Sequence, residues 1–252
     1  MPALEWVQLP SSGIDDFVAA GVLDPAYTWT SAKGAYAAPV AEHALTLTLA
    51  LLRQIHVRAR ATSWGKQAGK SLFGTHVAIV GAGGIAQEFM RLTAPFNVRT
   101  TIVRRSAEPV DGAERTIRLD QLMDVLPTVD VLLLAAPLTD ETRGIIGTAQ
   151  IAALPSDAVV VNVARGGLIR TDDLMTALRY GVIAGAAMDV TDPEPLSDGH
   201  PLWREPRALI TPHTADTAEM IRPLLAQRIT ENVHRFRNNR VMTGIVDPVT
   251  GY

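Results

Sequence analysis

Three separated stretches of this chain each run from an apolar segment into a polar residue with chemistry to offer. Arg165 follows VVVNVA and precedes two glycines, Asp189 lies near the end of IAGAAMDV with Glu194 five residues later in DPEPL, and His213 ends RALITPH. In an open α/β sheet, ligands bind outside the carboxyl ends of the strands. Three such strand ends therefore describe one site. A guanidinium, a carboxylate and an imidazole are what reduction of a keto acid requires. The imidazole gives or takes a proton near neutral pH. A carboxylate beside it orients the ring and favours positive charge on it. An arginine forks onto a substrate carboxylate and polarises the carbonyl. Taken singly, each has a plainer reading as a packing or surface residue; the conjunction carries the argument. His43, within AEHAL, and His200, within HPLW, are read as structural, because neither is predicted at a strand's carboxyl end.

A second feature supplies the partner for that chemistry. The apolar run HVAIVG (76–81) leads into Gly81-Ala82-Gly83-Gly84-Ile85-Ala86, the pattern G-x-G-x-x-G/A. Gly81 allows the tight turn, Gly83 lets the backbone approach a pyrophosphate, and Ala86 is small enough for the helix to pack on the strand. The anion would rest on the free N–H groups of the helix start. An acid about 20 residues further on would read a ribose 2′-hydroxyl. The chain instead carries Val103-Arg104-Arg105-Ser106, two guanidiniums and a hydroxyl suited to a 2′-phosphate. This favours NADP, with NAD as the alternative.

The surrounding elements alternate. Strands are expected at 4–9, 27–32, 76–81, 98–106, 129–137, 158–164, 183–190 and 207–213. Helices are expected at 34–59, 83–96, 119–129, 148–154, 171–181 (with Thr171 as N-cap and Gly181 past the end) and 217–238, with 60–71 as a connector. Alternation of this kind predicts an α/β fold with a parallel sheet. The middle of the 34–59 segment, ALTLTLALL, also fits a strand, and its length and Ala/Leu content decide for a buried helix.

Composition narrows the class. The 252 residues are 47% hydrophobic and 19% charged, enough apolar side chain for a sizeable core. A net charge of −3 argues against a nucleic-acid binder. The absence of cysteine excludes disulfides, thiolate metal sites and a Cys nucleophile, and no metal is expected. MPALEWVQLP lacks the features of a signal peptide, and no stretch approaches a membrane span. A cytoplasmic protein is expected.

With these residues in view, the chain resembles the D-isomer-specific 2-hydroxyacid dehydrogenases along nearly its whole length. VAEHALTLTLALLRQI is similar to that family's interdomain helix and SLFGTHVAIVGAGGIA to its cofactor entry. AAPLTDETRGIIG, VNVARGGLIRTDDLMTAL, GAAMDVTDPEPL and HPLWREPRALITPHTA follow in the family's order. The resemblance implies a doubly wound Rossmann-type parallel sheet over 37–218. It also implies a second, smaller, incomplete flavodoxin-like substrate domain from 1–36 plus 219–252. It implies Arg165 as substrate-binding arginine, Glu194 and His213 as the catalytic pair, and Asp189 near the nicotinamide amide. Cofactor contacts are implied from Gly84, Ile85, Pro137, Thr142, Val163 and Ala164, and the Ser12-Gly13 loop is implied to hold the substrate carboxylate through its N–H groups. A homodimer with the 34–59 helix in its contact is implied too.

Two departures stand out. The family has more chain before LEWVQLP, about two βα units of ~30 residues each, so the first strand and the last helix are expected to lose cover. Asp216 stands where the family has Gly or Trp, with consequences expected for substrate choice and for the nearby imidazole. The expected activity is hydride transfer between NAD(P)H and a 2-keto acid of glyoxylate, hydroxypyruvate or phosphoglycerate type. The alternative is a nucleotide-binding regulatory protein or an inactive truncated homologue.

Overall fold

The computed structural model describes residues 4–248. The chain divides into two compact units, one comprising the residues up to Pro39 and from Asp216 onward, the other Val40–Ala215.

In the first unit, β1 (Trp6–Gln8) and β2 (Thr28–Thr30) form a two-stranded parallel sheet around the short helix α1 (Asp15–Ala19). Leu9, Ile14, Leu23 and Val246 make its small core. Helix α2 (Ala37–Leu52) begins here and continues into the second unit.

The second unit continues with α3 (Ile55–Arg58), β3 (His76–Val80), α4 (Gly84–Thr93), β4 (Arg99–Arg104), β5 (Arg115–Arg118), α5 (Leu122–Val125), β6 (Val131–Leu134), α6 (Thr148–Ala153), β7 (Val159–Asn162), α7 (Thr171–Tyr180), β8 (Gly185–Met188) and β9 (Ala208–Ile210). Its seven strands run in the order β5-β4-β3-β6-β7-β8-β9, every pairing parallel. β3, β6, β7 and β8 are buried along their whole length. This explains their largely apolar sequences, because a parallel sheet is covered on both faces. The strand order reverses between β3 and β6, which sets the crevice of a doubly wound sheet beside the turn that follows β3.

Helix α8 (Ala218–Arg237) returns to the first unit. Phe236 stacks on Trp6 with ring centroids 5.6 Å apart. Buried Asn232 donates to Gln8 Oε1 and to the Thr243 carbonyl, both at 2.9 Å, which fixes the helix to the strand. Ile229, Val233 and Phe236 remain exposed along this helix. Among the described residues, no helix is long and apolar enough to cross a membrane.

Several expected elements are corrected. The helix expected over 34–59 stops at Leu52, Gln54 turns left-handed at φ 54°, and α3 is a separate short piece. The cause is the chain at 69–70, which crosses the helix end and lets Lys70 N–H donate to the Leu52 carbonyl at 2.7 Å. Within Ala37–Leu52, buried Val40, Ala41, Ala44, Leu47, Thr48, Leu51 and Leu52 recur at three and four residues, the helical period. The expected 119–129 helix is α5 flanked by two 3-10 turns, the second starting at Leu126-Pro127. Proline cannot donate into a continuing α-helix. Thr171 is the first helical residue of α7 rather than its cap, and its hydroxyl donates to the Asp192 carbonyl at 2.6 Å. β5 was not expected at all: within RTIR only Ile117 is buried.

Candidate active site

The site residues of the second unit gather along the carboxyl edge of its sheet. Gly81 follows β3, Arg104 ends β4, Pro137 lies beyond β6, Val163–Arg165 follow β7, Asp189 follows β8 and His213 lies beyond β9.

At the β3–α4 turn, Gly81 has φ 112°, and a Cβ there would stand 2.4 Å from the Ala135 carbonyl oxygen. Only glycine fits. Gly83 is the N-cap of α4, makes no side-chain cap, and a Cβ on it would meet nothing within 4 Å. The first helical bond is Gln87 N–H to the Gly83 carbonyl at 3.1 Å. The N–H groups of Gly84, Ile85 and Ala86 therefore have no acceptor within the helix. This is a cradle suited to the pyrophosphate of a dinucleotide. Ala86 is fully buried, as close packing of helix on strand requires.

At the end of β4, neither Arg104 nor Arg105 makes an ion pair among the described residues. Ser106 Oγ lies 3.5 Å from Glu108. Thr142 is buried, and its hydroxyl is committed within its own loop, to the Pro137 carbonyl at 2.7 Å.

The turn after β7 is shaped by Asn162, which sequence reasoning did not single out. Its amide donates to the Arg165 carbonyl at 2.8 Å and accepts from Ala164 N–H at 3.1 Å. Val163 and Ala164 are buried there, while Arg165 is half-buried and donates to the Ala164 carbonyl at 2.7 Å. The next residue, Gly166, packs directly on the backbone of Thr191. This seats the Arg165 turn against the segment that leads to Glu194.

His213 Nδ1 and Glu194 Oε1 are 2.6 Å apart. Both side chains remain open, 48% and 41% exposed. With Nδ1–H donating to the carboxylate, Nε2 is the nitrogen left for a ligand.

Asp189 is placed differently from the simplest picture of a cofactor contact. Its side chain is only 1% exposed. Oδ1 accepts from the Thr211 hydroxyl at 2.5 Å and Thr214 N–H at 3.0 Å, and Oδ2 accepts from Ala215 N–H at 3.1 Å. His43 Nε2 lies 3.3 Å from Oδ1 and 3.0 Å from Thr211 Oγ1. Burial opposes ionisation, but the hydrogen bonds from His43, Thr211, Thr214 and Ala215 outweigh it and bring the carboxyl down to about 2. The expectation that His43 lies away from the strand ends is corrected here. α2 runs antiparallel to the sheet, with Leu51 packed where a Cβ on Gly185 would stand. Eight helical residues rise about 12 Å, and four strand residues about 13 Å. His43 is thereby carried level with Asp189. No local sequence signal gives that register.

In the first unit, the Ser12 hydroxyl donates to the Ala32 carbonyl at 3.0 Å. The N–H groups of Ser12 and Gly13 find no acceptor among the described residues. Asp216 lies in this unit too. Burial first, and then the Asp216 charge, push the Tyr36 phenol above its ordinary range, against the pull of Arg228.

Comparison with known proteins gives the family. Residues 45–215 match the family described as D-isomer specific 2-hydroxyacid dehydrogenase, NAD binding domain. The chain is 42% identical, over 99% of its length and 84% of the relative's, to a protein encoded in the proB 3′ region of Corynebacterium melassecola. It is 30% identical to the glyoxylate reductase of Aeropyrum pernix, over 86% of this chain and 69% of that one. Among solved structures it is similar, at a TM-score of 0.88 and 30% identity, to a D-isomer specific 2-hydroxyacid dehydrogenase from Xanthobacter autotrophicus Py2 in complex with NADPH and MES, covering 100% of this chain and 80% of that one. A doubly wound parallel sheet, a glycine turn open to a dinucleotide and a family match over the whole of that unit from Leu45 onward lead to one conclusion: the chain belongs to the D-isomer specific 2-hydroxyacid dehydrogenase family.

Proposed function

We propose that this protein reduces a small 2-keto acid of the glyoxylate or hydroxypyruvate type to its 2-hydroxy acid, with NADPH as the preferred reductant. The observation that carries the reading is the 2.6 Å His213–Glu194 pair, exposed on the same sheet edge as the open glycine cradle.

Gly81, Gly83, Gly84 and Ile85 would hold the pyrophosphate, and Arg104, Arg105 and Ser106 the 2′-phosphate. Pro137, Thr142, Val163 and Ala164 line the path along the strand ends. Asp189, its carboxylate committed to Thr211, Thr214 and Ala215, holds the turn that carries His213. Held by these residues, the nicotinamide would supply the hydride that the substrate's carbonyl carbon takes up. Arg165 forks onto the substrate carboxylate and draws electron density from the carbonyl. His213 delivers its Nε2 proton to the carbonyl oxygen as the C–O π bond breaks, which leaves a neutral imidazole and an alcohol. Glu194 fixes the ring through Nδ1–H and balances its positive charge before transfer.

The first unit serves as the substrate domain in this proposal. The unused N–H groups of Ser12 and Gly13 favour an anion there. A homodimer is proposed as well, on the strength of the exposed apolar side chains of Ile55, Trp64 and Phe73 beyond α2.

The test is NADPH consumption with glyoxylate and with hydroxypyruvate. His213→Ala should lower kcat by about 10²- to 10⁴-fold, the usual worth of a general acid, while NADPH binding is kept. Unchanged turnover in His213→Ala would overturn the reading. Tight NADPH binding by the wild type without reduction of any 2-keto acid would point to a nucleotide-binding regulatory role instead.

A further inference from the structure

We propose that His43 is a positioning residue for His213, acting through Asp189 and Thr211. The inference rests on the reading of His213 as the proton donor.

His213 occupies a backbone conformation that few residues with a side chain accept, at φ 49°. Something must hold it there. Its own N–H donates to the Asp189 carbonyl at 2.8 Å, and the two N–H groups that follow it go to the Asp189 carboxylate. The turn that presents His213 is thus wrapped around a single acidic residue. Of the four donors on that carboxylate, three come from the 211–215 segment itself: the Thr211 hydroxyl, Thr214 N–H and Ala215 N–H. These can move together with the turn. His43 is the one donor of the four that comes from another element, the long helix α2.

Proton bookkeeping fixes what His43 contributes. The Thr211 hydroxyl hydrogen is spent on Asp189 Oδ1, at 2.5 Å. Thr211 Oγ1 therefore accepts, and His43 Nε2 must carry a hydrogen. That N–H faces both Thr211 Oγ1 and Asp189 Oδ1. His43 acts as a fixed donor and touches neither substrate nor cofactor in the proposed scheme. Without it the 211–215 turn loses its anchor to the helix, and His213 leaves its alignment with Glu194.

The experiment uses the full chain. His43→Leu removes the donor and keeps bulk; His43→Gln returns an N–H near the Nε2 position. His43→Leu should lower kcat for glyoxylate about 10- to 100-fold, the effect of a misplacement near 1 Å. The Kd for NADPH should change less than about twofold, because the glycine cradle lies at the end of β3. His43→Gln should recover most of the loss. In a His213→Ala background, His43→Leu should cost little further, because the two residues act as one unit. Hydrogen exchange of the Thr214 and Ala215 amides, read without cofactor or substrate, should accelerate about tenfold or more in His43→Leu while amides of β3 stay protected.

An equal loss of kcat in both backgrounds, or a Gln variant as poor as Leu, would overturn the proposal. So would unchanged exchange at Thr214 and Ala215. If the wild type reduces no 2-keto acid, the proposed function fails, and the exchange measurement still decides whether His43 anchors the turn.

Discussion

Gly166 lies so close to Thr191 that a Cβ on it would stand 1.9 Å from the Thr191 carbonyl oxygen and 2.0 Å from its carbonyl carbon. Both partners are backbone, so neither side chain can swing away. This contact holds the turn carrying Arg165 against the segment that delivers Glu194. Gly166→Ala should destabilise the protein by about 2 kcal/mol or more, the cost of overpacking a tight site. It should also raise KM for the keto acid, since the Arg165 turn must move. Denaturant unfolding and steady-state kinetics check the two effects.

Arg104 and Arg105 make no ion pair among the described residues, so removing them costs no internal contact of that kind. Replacing both with Ala should leave the unfolding midpoint nearly unchanged. A charge-assisted hydrogen bond is worth about 1.5–3 kcal/mol, so NADPH affinity should fall at least about tenfold, with NADH affinity little altered. Comparative titration of the two nucleotides decides it. Equal losses for both would contradict the assignment of a 2′-phosphate site.

His76 is buried at the start of β3, with Nδ1 2.9 Å from the Thr128 carbonyl oxygen and Nε2 2.9 Å from Thr101 Oγ1. Burial lowers its pKa, opposed by the Thr128 carbonyl and reinforced by Arg99. The folded protein therefore binds this proton less readily than the unfolded chain. The stability is fully present above the ordinary histidine value of about 6.5 and declines as pH falls below it toward the folded midpoint. His56, also lowered chiefly by burial, contributes in the same direction. Urea unfolding at a series of pH values should show this decline, and His76→Gln, which cannot titrate, should lessen it.

Trp64 is 97% exposed, an unusual position for an indole on a lone chain. If the proposed homodimer covers it, Trp64→Glu should shift the protein to monomer in light scattering without disturbing the Val40–Ala215 unit. Retention of a dimer in that variant would remove Trp64 from the contact.

Much of the unit that holds the glycine turn was legible because its signals are local. HVAIV, VLLL and VVVN announce buried parallel strands by apolar runs that only His76 and Asn162, at two strand ends, interrupt. The glycine turn at 81–84 is specified by backbone sterics that act within a few residues. The ends of α2, the 3-10 breaks around α5 and the edge strand β5 were not legible. Each depends on what packs against it: the 69–70 crossing, a proline within a short helical stretch, and a single buried Ile117.

The same division applies to the site. Residue type and strand-end position put forward Arg165, Asp189 and His213, with Glu194 five residues on, because a strand's carboxyl end is a property of the chain's order; the pairing of Glu194 with His213 came from the family resemblance. The 2.6 Å meeting of His213 with Glu194 is a tertiary fact, as is the seat of Gly166 on Thr191. The placing of His43 beside Asp189 is another, made by a helix and a strand 146 residues apart whose antiparallel rises happen to match. Hydrogen bonds between side chains of distant elements leave no periodicity in the sequence. They exist only once the backbone has brought the groups within reach.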